Sequence, residues 1–320
     1  MTFDHITVLK DELVSNLNLK SGSLVIDCTA GGGGHTARIA QSVQPGGRVI
    51  AVDRDLKAID HLKTRFSNNI SSGEMVLVQK PFSELASIVQ DMEIHGKVDG
   101  ICADIGVSSP QIDDPERGFS FMKDGPLDMR MDRTCGISAY QVVNEYSEAQ
   151  LTQLFRSLGE EPKAKFAAQG ILKERAKKPI ETTRQLAEII ENNLFYKTKS
   201  KKHPATRVFQ ALRMHVNGEL EELETLCKTA FEALRPGGRL GIISFHSLED
   251  KIVKSFFKSM ANGNSIPPEI QRAPIPEEEI ERLKDRKAKL IKPFPIVPGK
   301  EEIEFNVRAR SAKLRVLEKI

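Results

Sequence analysis

The chain has no long apolar run, and none of its hydrophobic stretches approaches the ~20 residues that a membrane-spanning helix needs. Its first residues, MTFDHITVLKDELVSNL, contain early acids and no apolar core, so they do not match a secretory signal peptide. Charged residues make up 28% and hydrophobic residues 39% of the sequence, which is ordinary for a globular protein. We therefore expect a cytoplasmic protein with no membrane partner.

Cysteine and net charge are also scarce. The four cysteines are scattered without a CxxC pair, so neither a zinc site nor a disulfide framework is indicated, and we predict no bound metal. Two of them, Cys28 and Cys102, lie in apolar strand patterns and are predicted to be small core residues. Because the net charge is only +3, a nucleic-acid partner must be inferred from local basic clusters.

Recurring short apolar segments predict an α/β fold. The five strand-like segments, rich in β-branched residues, are 23–30, 48–55, 75–82, 98–107 and 239–246. Helix-like segments separate the first four of them. This alternation predicts a parallel, doubly wound sheet.

A long interruption separates the fourth and fifth predicted strands. Roughly 130 residues lie where a crossover needs about a dozen, so we predict an inserted helical domain. The predicted domains are 1–109 and 204–320 for the two parts of the larger domain and 110–203 for the insert. Helices of the insert are predicted in 151–159, 163–178 and 182–194. A capping box from Ser147 to Gln150 marks the start of the first.

The chain after the insert has three predicted parts. Apolar residues at three-to-four spacing predict one long helix, or two with a break near Gly218, that ends at Gly237. Proline-rich residues 261–300 predict an extended connection with one short helix near PEEEIERLKDR. EIEFNVR and AKLRVLEKI alternate apolar and polar residues and predict a closing antiparallel hairpin. Such a hairpin is more typical of a methyltransferase sheet than of a dehydrogenase sheet.

A glycine-rich turn, DCTAGGGGHTARIA, follows the first predicted strand. Glycines there let a ligand approach the backbone, although tight packing of strand against helix also requires them. Asp53 ends the second predicted strand about 20 residues on, where an acid accepts both ribose hydroxyls of an adenosine. Because Gly31 and Gly33 are followed by Thr36 and not by a third glycine, the turn favours S-adenosylmethionine over NAD.

Two further residues stand at the ends of predicted strands. Phe82 follows the third strand, where it could lie on an adenine ring or simply pack in the core. Asp104 ends the fourth strand, beside the switch point at which such sheets bind ligands. Polar Ser108, Ser109 and Gln111 follow, where an acceptor amine or the methionine part of the cofactor could be held.

Residues 104–132, DIGVSSPQIDDPERGFSFMKDGPLDMRMD, show neither helical nor strand periodicity and predict a functional loop with exposed Phe119 and Phe121. This segment closely resembles the ribosomal RNA small subunit methyltransferase H family, also called MraW. The other matching segments are TAGGGGHT, HPATRVFQALRMHVNGELEEL, RPGGRLGIISFHSLEDKIVKSFF and RARSAKLRV. The resemblance runs from HITVLKDE to the last predicted strand.

This resemblance implies a Rossmann-like class I S-adenosylmethionine methyltransferase sheet with an inserted small helical domain. It implies N4-methylation of one cytidine in the decoding region of 16S ribosomal RNA, within the small subunit, with S-adenosylmethionine as the donor. The implied cofactor contacts are Gly33, Gly34, His35, Asp53, Phe82, Asp104 and Gln111. Asp104 is also the predicted catalytic residue, because it could hold the acceptor amine. The oligomeric state, monomer or homodimer, stays open.

Two basic clusters are predicted to contact RNA, although a charge run is also typical of a plain solvated face. Their members are Lys197, Lys199, Lys201, Lys202 and Arg207 in the first and Arg175, Lys177 and Lys178 in the second. In the loop, Arg117, Arg130 and Arg133 are predicted to hold the backbone of a flipped cytidine. After the fifth strand, we assign helix capping to Ser247 and leave His246 open. The alternatives are a methyltransferase acting on a protein or small molecule and a non-catalytic RNA-binding factor.

Overall fold

The computed structural model describes residues 7–194, 203–264, 276, 279 and 282–320. The chain divides into two compact units. The sheet unit consists of the described residues within 1–106 and 220–320, and the helical unit of those within 107–219. The helical unit therefore extends beyond residue 203, where the sequence predicts the end of the insert.

A seven-stranded sheet forms the centre of the sheet unit. Its strands are β1 (Leu24–Asp27), β2 (Arg48–Asp53), β3 (Met75–Gln79), β4 (Val98–Asp104), β5 (Leu234–Ser244), β6 (Ala288–Leu290) and β7 (Lys313–Lys319). They are arranged in the order β3-β2-β1-β4-β5-β7-β6. The first five strands are parallel, and β7 is antiparallel to β5 and β6. The predicted α/β class with a parallel, doubly wound sheet is confirmed.

The central strands are apolar on both faces, which is why they lie in the middle of the sheet. β1 pairs with β4 in a register that sets Ile26 opposite Ile101, and both side chains are buried. The neighbouring Val25 belongs to the core on the other face. β1 lies between β2 and β4, so the strand order reverses direction at β1. The carboxyl ends of β1 and β4 therefore form a switch point, the place at which such sheets bind ligands.

Helices connect these strands. They are α1 (Lys10–Asn16), α2 (Gly34–Ser42), α3 (Leu56–Arg65), α4 (Ser67–Ser71), α5 (Leu85–Asp91), α6 (Ser109–Asp113), α7 (Ala139–Glu145), α8 (Glu148–Ser157), α9 (Ala164–Arg175), α10 (Thr183–Asn193), α11 (Thr206–Asn217), α12 (Glu219–Ala233), α13 (Ser247–Asn262) and α14 (Lys300–Phe305). The helical unit contains α6 to α11. Across the residues that the structure describes, every helix is too short or too polar to cross a membrane.

The helical unit has a hydrophobic core of its own, with Leu151, Phe155 and Ile171 fully buried. Ser147 caps α8 in the predicted capping box with Gln150. The same arrangement starts α7 and α10. The three helices predicted for the insert are confirmed as α8, α9 and α10.

The long helix after the insert is two helices, which was one of the two predicted alternatives. Gly218 takes a φ of 59° between α11 and α12, a conformation that favours glycine. α11 buries Val208 and Leu212 in the core of the helical unit, which is why that unit includes it. The predicted end at Gly237 is wrong, because Leu234 already pairs with β4.

The predicted closing hairpin is also wrong in one of its strands. EIEFNVR forms α14 and a 3-10 turn at Val307–Ser311. Glu301 and Glu302 lie in the first turn of α14, where negative charge stabilises a helix N-terminus, and this local preference outweighs the alternation. The antiparallel partner of β7 at the sheet edge is β6. Four residues of the helix predicted near PEEEIERLKDR, 277, 278, 280 and 281, lie outside the described residues, and Glu279, Arg282 and Leu283 are helical.

Candidate functional site

The glycine-rich turn joins β1 to α2 at the switch point. Gly31 and Gly33 have φ angles of 49° and 80°, a left-handed conformation that favours glycine. The Gly33 amide donates to the Ala30 carbonyl at 2.7 Å, and α2 begins at Gly34. The first amides of α2 therefore form a positively polarised end that suits an anionic group such as a carboxylate.

His35 lies buried in the first turn of α2. Its Nε2 is 3.0 Å from the carbonyl oxygen of Val8, which requires a proton on Nε2. Its Nδ1 is 4.0 Å from Oδ2 of Asp104. The structure therefore brings together two predicted site residues, one from the glycine turn and one from the end of β4.

Asp53, at the end of β2, accepts two backbone hydrogen bonds. Its Oδ2 accepts from the Gly31 amide and its Oδ1 from the Asp55 amide, each at 2.8 Å. Each carboxylate oxygen has a second lone pair, so the group can still accept two hydroxyl donors such as those of a ribose. Burial raises the pKa of Asp53 to about 6, although the two backbone bonds act in the opposite direction.

Asp104, at the end of β4, has a buried side-chain oxygen whose hydrogen bonding is unusual. Its amide donates to Oγ1 of Thr29 at 2.6 Å, which fixes the backbone there. Its Oδ1 is buried and has no hydrogen-bond partner among the residues that the structure describes. Burial raises the pKa of Asp104 to about 8, and the charges of Asp27 and Glu249 act in the same direction. A buried acceptor of this kind suits a ligand amine or cation.

Asp27 belongs to the same region but is not among the predicted site residues. It ends β1 and is 1% exposed. Its Oδ1 accepts from the Thr29 amide at 3.1 Å, and its Oδ2 accepts from the Thr36 hydroxyl at 2.7 Å. These bonds tie the end of β1 to α2. The signal in the sequence is an acid directly after an apolar strand, which is the signal that identified Asp53.

The turn after β5 corrects one capping assignment. His246, and not Ser247, is the N-cap of α13, and its side chain accepts from the Glu249 amide at 3.4 Å. The buried Glu249 carboxylate accepts in return from the amides of Phe245 and His246, at 2.9 and 3.3 Å. Nε2 of His246 also lies 2.7 Å from Oε1 of Glu249. Because both of its ring nitrogens contact Glu249, His246 has a structural role at the start of α13.

Two other predicted cofactor residues have structural partners of their own. Phe82 lies in a 3-10 turn after β3, half-buried against the core cluster that contains Ile26 and Leu85. Gln111 lies in the helical unit, where its side-chain oxygen accepts from the Ser108 amide at 3.0 Å in a capping box. Contacts of either side chain with a cofactor stay predictions.

The loop of residues 107–132 is held by one of its own arginines. Arg117 is 4% exposed and donates to the Met131 carbonyl at 2.8 Å. Its guanidinium lies 5.7 Å from the centre of the buried Phe119 ring. The prediction that Phe119 is exposed is therefore wrong, and contact of the buried Arg117 with RNA stays a prediction. Phe121 is half-buried and packs on Phe209, with ring centroids 4.9 Å apart.

Many of the predicted RNA-binding cations have protein partners. Arg130 and Arg133 both contact Asp128, at 2.8 and 3.3 Å. In the second cluster, Arg175 donates a hydrogen bond to the Val143 carbonyl. Lys177 forms an ion pair with Glu174, and Lys178 forms one with Glu181. In the first cluster, Arg207 is exposed and lies 3.9 Å from Glu161. Outside the described residues are Lys197, Lys199, Lys201 and Lys202.

The ends of β1, β2 and β4 carry groups that fit several polar parts of S-adenosylmethionine. The N-terminal amides of α2 suit its carboxylate, and Asp53 suits its ribose hydroxyls. The carboxylate of Asp104, whose Oδ1 has no hydrogen-bond partner in the described part of the chain, suits its ammonium or sulfonium charge. All three groups lie in the sheet unit.

Comparison with known proteins extends over the whole chain. Residues 2–320 match the MraW methylase family. The chain is 41% identical over 321 residues to Ribosomal RNA small subunit methyltransferase H of Brevibacillus brevis, covering 100% of this chain and 99% of that protein.

Two solved structures are more distantly similar. An rRNA methylase from Streptococcus thermophilus is 13% identical with a TM-score of 0.38, over 97% of this chain and 93% of that one. A SAM-dependent O-methyltransferase from Thermotoga maritima is 10% identical with a TM-score of 0.40, over 97% and 64% of the two chains. The full-length family match and the 41% identity decide the assignment. The chain belongs to the MraW methylase family.

Proposed function

We propose that this protein transfers the methyl group of S-adenosylmethionine to the N4 amine of one cytidine in the decoding region of 16S ribosomal RNA, within the small subunit. Membership of the MraW methylase family supports methyl transfer. The 41% identity to a protein called Ribosomal RNA small subunit methyltransferase H supports the RNA substrate. The cytidine and its position rest on the resemblance of residues 104–132 to that family. A cytoplasmic location is part of the proposal, because small ribosomal subunits are found there.

The observation that best supports this reaction is the buried Oδ1 of Asp104, which has no hydrogen-bond partner among the residues that the structure describes. The exocyclic amine of cytosine is a weak nucleophile because its lone pair is delocalised into the ring. An acceptor that holds one N–H of this amine orients it and takes up its proton. Asp104 supplies such an acceptor beside the glycine turn.

When bound, S-adenosylmethionine supplies an electrophilic methyl group on a sulfonium centre. The residues of the chain orient the reactants and accept the proton that the amine loses. Asp53 would hold the ribose, and the first turn of α2 would hold the methionine carboxylate. His35, whose Nε2 proton is directed at the Val8 carbonyl, lies with its Nδ1 4.0 Å from Oδ2 of Asp104 and so borders the proposed acceptor.

The pKa of Asp104 agrees with this role. A pKa of about 8 lies close to neutral pH, where a group can both accept and release a proton. A nearby positive charge lowers the pKa of a carboxyl group, so a cationic ligand would favour the ionised acceptor. The amine would then meet Asp104 in its accepting form.

The test supplies purified protein and methyl-labelled S-adenosylmethionine with three substrates. These are small subunits from cells that lack this gene, their naked 16S RNA, and a cytosolic protein extract. We expect label in N4-methylcytidine, and labelling about 10³-fold slower with the Asp104→Ala variant. Label in the protein extract alone would contradict the RNA substrate and favour a protein methyltransferase.

A further inference from the structure

The outer side of the glycine turn is held by α3. The Gly32 carbonyl accepts a hydrogen bond from the guanidinium of Arg65, at the C-terminal end of that helix. His61, one helical turn earlier, also hydrogen-bonds to the Gly32 backbone. Two side chains of one helix therefore hold the same residue of the turn.

The turn also packs directly on α3. A Cβ atom placed on Gly33 would lie 2.7 Å from the ring of Phe66 and 2.9 Å from the side chain of Leu62, closer than real side chains approach. The turn therefore has no room to shift toward the helix. On this side, the position of Gly33 is set by the C-terminal end of α3.

The start of the same helix reaches the other proposed cofactor contact. Asp55 is the N-cap of α3, and its carboxylate accepts from the Lys57 amide at 3.0 Å. The amide of Asp55 donates to Oδ1 of Asp53 at 2.8 Å. α3 thus contacts the ribose-binding acid at its first residues and the glycine turn at its last.

We infer that Arg65 is a positioning residue for S-adenosylmethionine, an inference that rests on the proposed function. The Gly32 carbonyl and the Gly33 amide belong to one planar peptide group. Gly33 is also the N-cap of α2. By holding that carbonyl, Arg65 fixes the direction of the first turn of α2, so that its amides stay aimed at the methionine carboxylate.

The test replaces Arg65 with methionine, which keeps an aliphatic stem and removes the donors. We expect the Kd for S-adenosylmethionine to rise about tenfold, the scale of one hydrogen bond from a charged donor. We expect KM for S-adenosylmethionine to rise in parallel and kcat at saturation to stay within about twofold. The Arg65→Lys variant, which keeps a charged donor, should recover part of the affinity. Calorimetric titration and steady-state kinetics measure these values.

Lys63→Met is the matched control, because Lys63 is exposed on the same helix and pairs with Asp60 at 2.9 Å. It should leave the Kd unchanged. Wild-type affinity in Arg65→Met, or an equal loss in Lys63→Met, would overturn the inference. So would an Arg65→Met protein whose melting temperature falls while its folded fraction binds normally. If the wild-type protein did not bind S-adenosylmethionine, the proposed function would fail as well, so the two failures are distinguishable.

Discussion

Two aspartates end the strands that flank β1, and their surroundings differ. Asp53 accepts hydrogen bonds from two backbone amides, whereas Oδ1 of Asp104 has no partner in the described part of the chain. Burial raises the pKa of both, to about 6 and about 8. Neighbouring negative charges add to the rise in pKa at both residues, and backbone donors limit it at Asp53. The first carboxylate is therefore suited to stay ionised and bind hydroxyls, and the second to exchange a proton near neutral pH.

The largest expected effect comes from removing Asp104, the proposed proton acceptor. Asp104→Ala should lower kcat by about 10³-fold, the range typical of a general base. Single-turnover methylation of small subunits at saturating S-adenosylmethionine measures this change. Turnover within tenfold of wild type would exclude Asp104 from the chemical step. The proposed difference in function between Asp104 and Asp53 would then fail.

A smaller effect, on binding, is expected at Asp53. Asp53→Asn keeps one acceptor and loses the charge, so the KM for S-adenosylmethionine should rise about 30-fold, as for a lost charge-assisted hydrogen bond. Its kcat should stay within a few-fold of wild type. Kinetics that vary the cofactor concentration separate the two constants. A fall in kcat with unchanged KM would contradict the assignment of Asp53 to the ribose.

The two aspartates should also titrate separately. An acid with a raised pKa is protonated below that pKa, so kcat/KM should rise with pH through about 6 as Asp53 ionises. It should rise again through about 8 as Asp104 ionises. Asp53→Asn should abolish the lower step alone. A single step in the wild-type profile would show that the two groups are not distinguished by their surroundings.

The site residues that could be predicted from sequence are those recognised by their position directly after a predicted strand. The glycine turn, Asp53 and Asp104 each follow a predicted strand, and parallel strands bring their carboxyl ends to one edge. The contact of Arg65 with Gly32 joins residues 33 positions apart, and nothing in the local pattern indicates it. Burial of Phe119 was missed for a related reason, because an irregular loop has no periodicity that reveals its inner face.

The smallest expected effect concerns Glu302, which is linked to Asp104 through the Val8–Leu9 peptide and His35. The Leu9 amide is buried and donates to Oε1 of Glu302 at 2.7 Å, and the adjacent Val8 carbonyl accepts from His35. Glu302→Ala leaves that amide without its partner, so the free energy of unfolding should fall by about 1–2 kcal/mol. Glu301→Ala, an exposed neighbour in the same helical turn, is the control.

This variant also sharpens the comparison of the two aspartates. Loosening Val8 should admit water beside Asp104 and lower its pKa, so the upper step of the pH profile should move to lower pH. The lower step should stay in place, because Asp53 is held by Gly31 and Asp55. Denaturant unfolding and the pH dependence of kcat/KM measure the two effects. Equal shifts in both steps would mean that removing the Glu302 side chain changes the pKa of Asp53 as much as that of Asp104. The two carboxylates would then not respond independently.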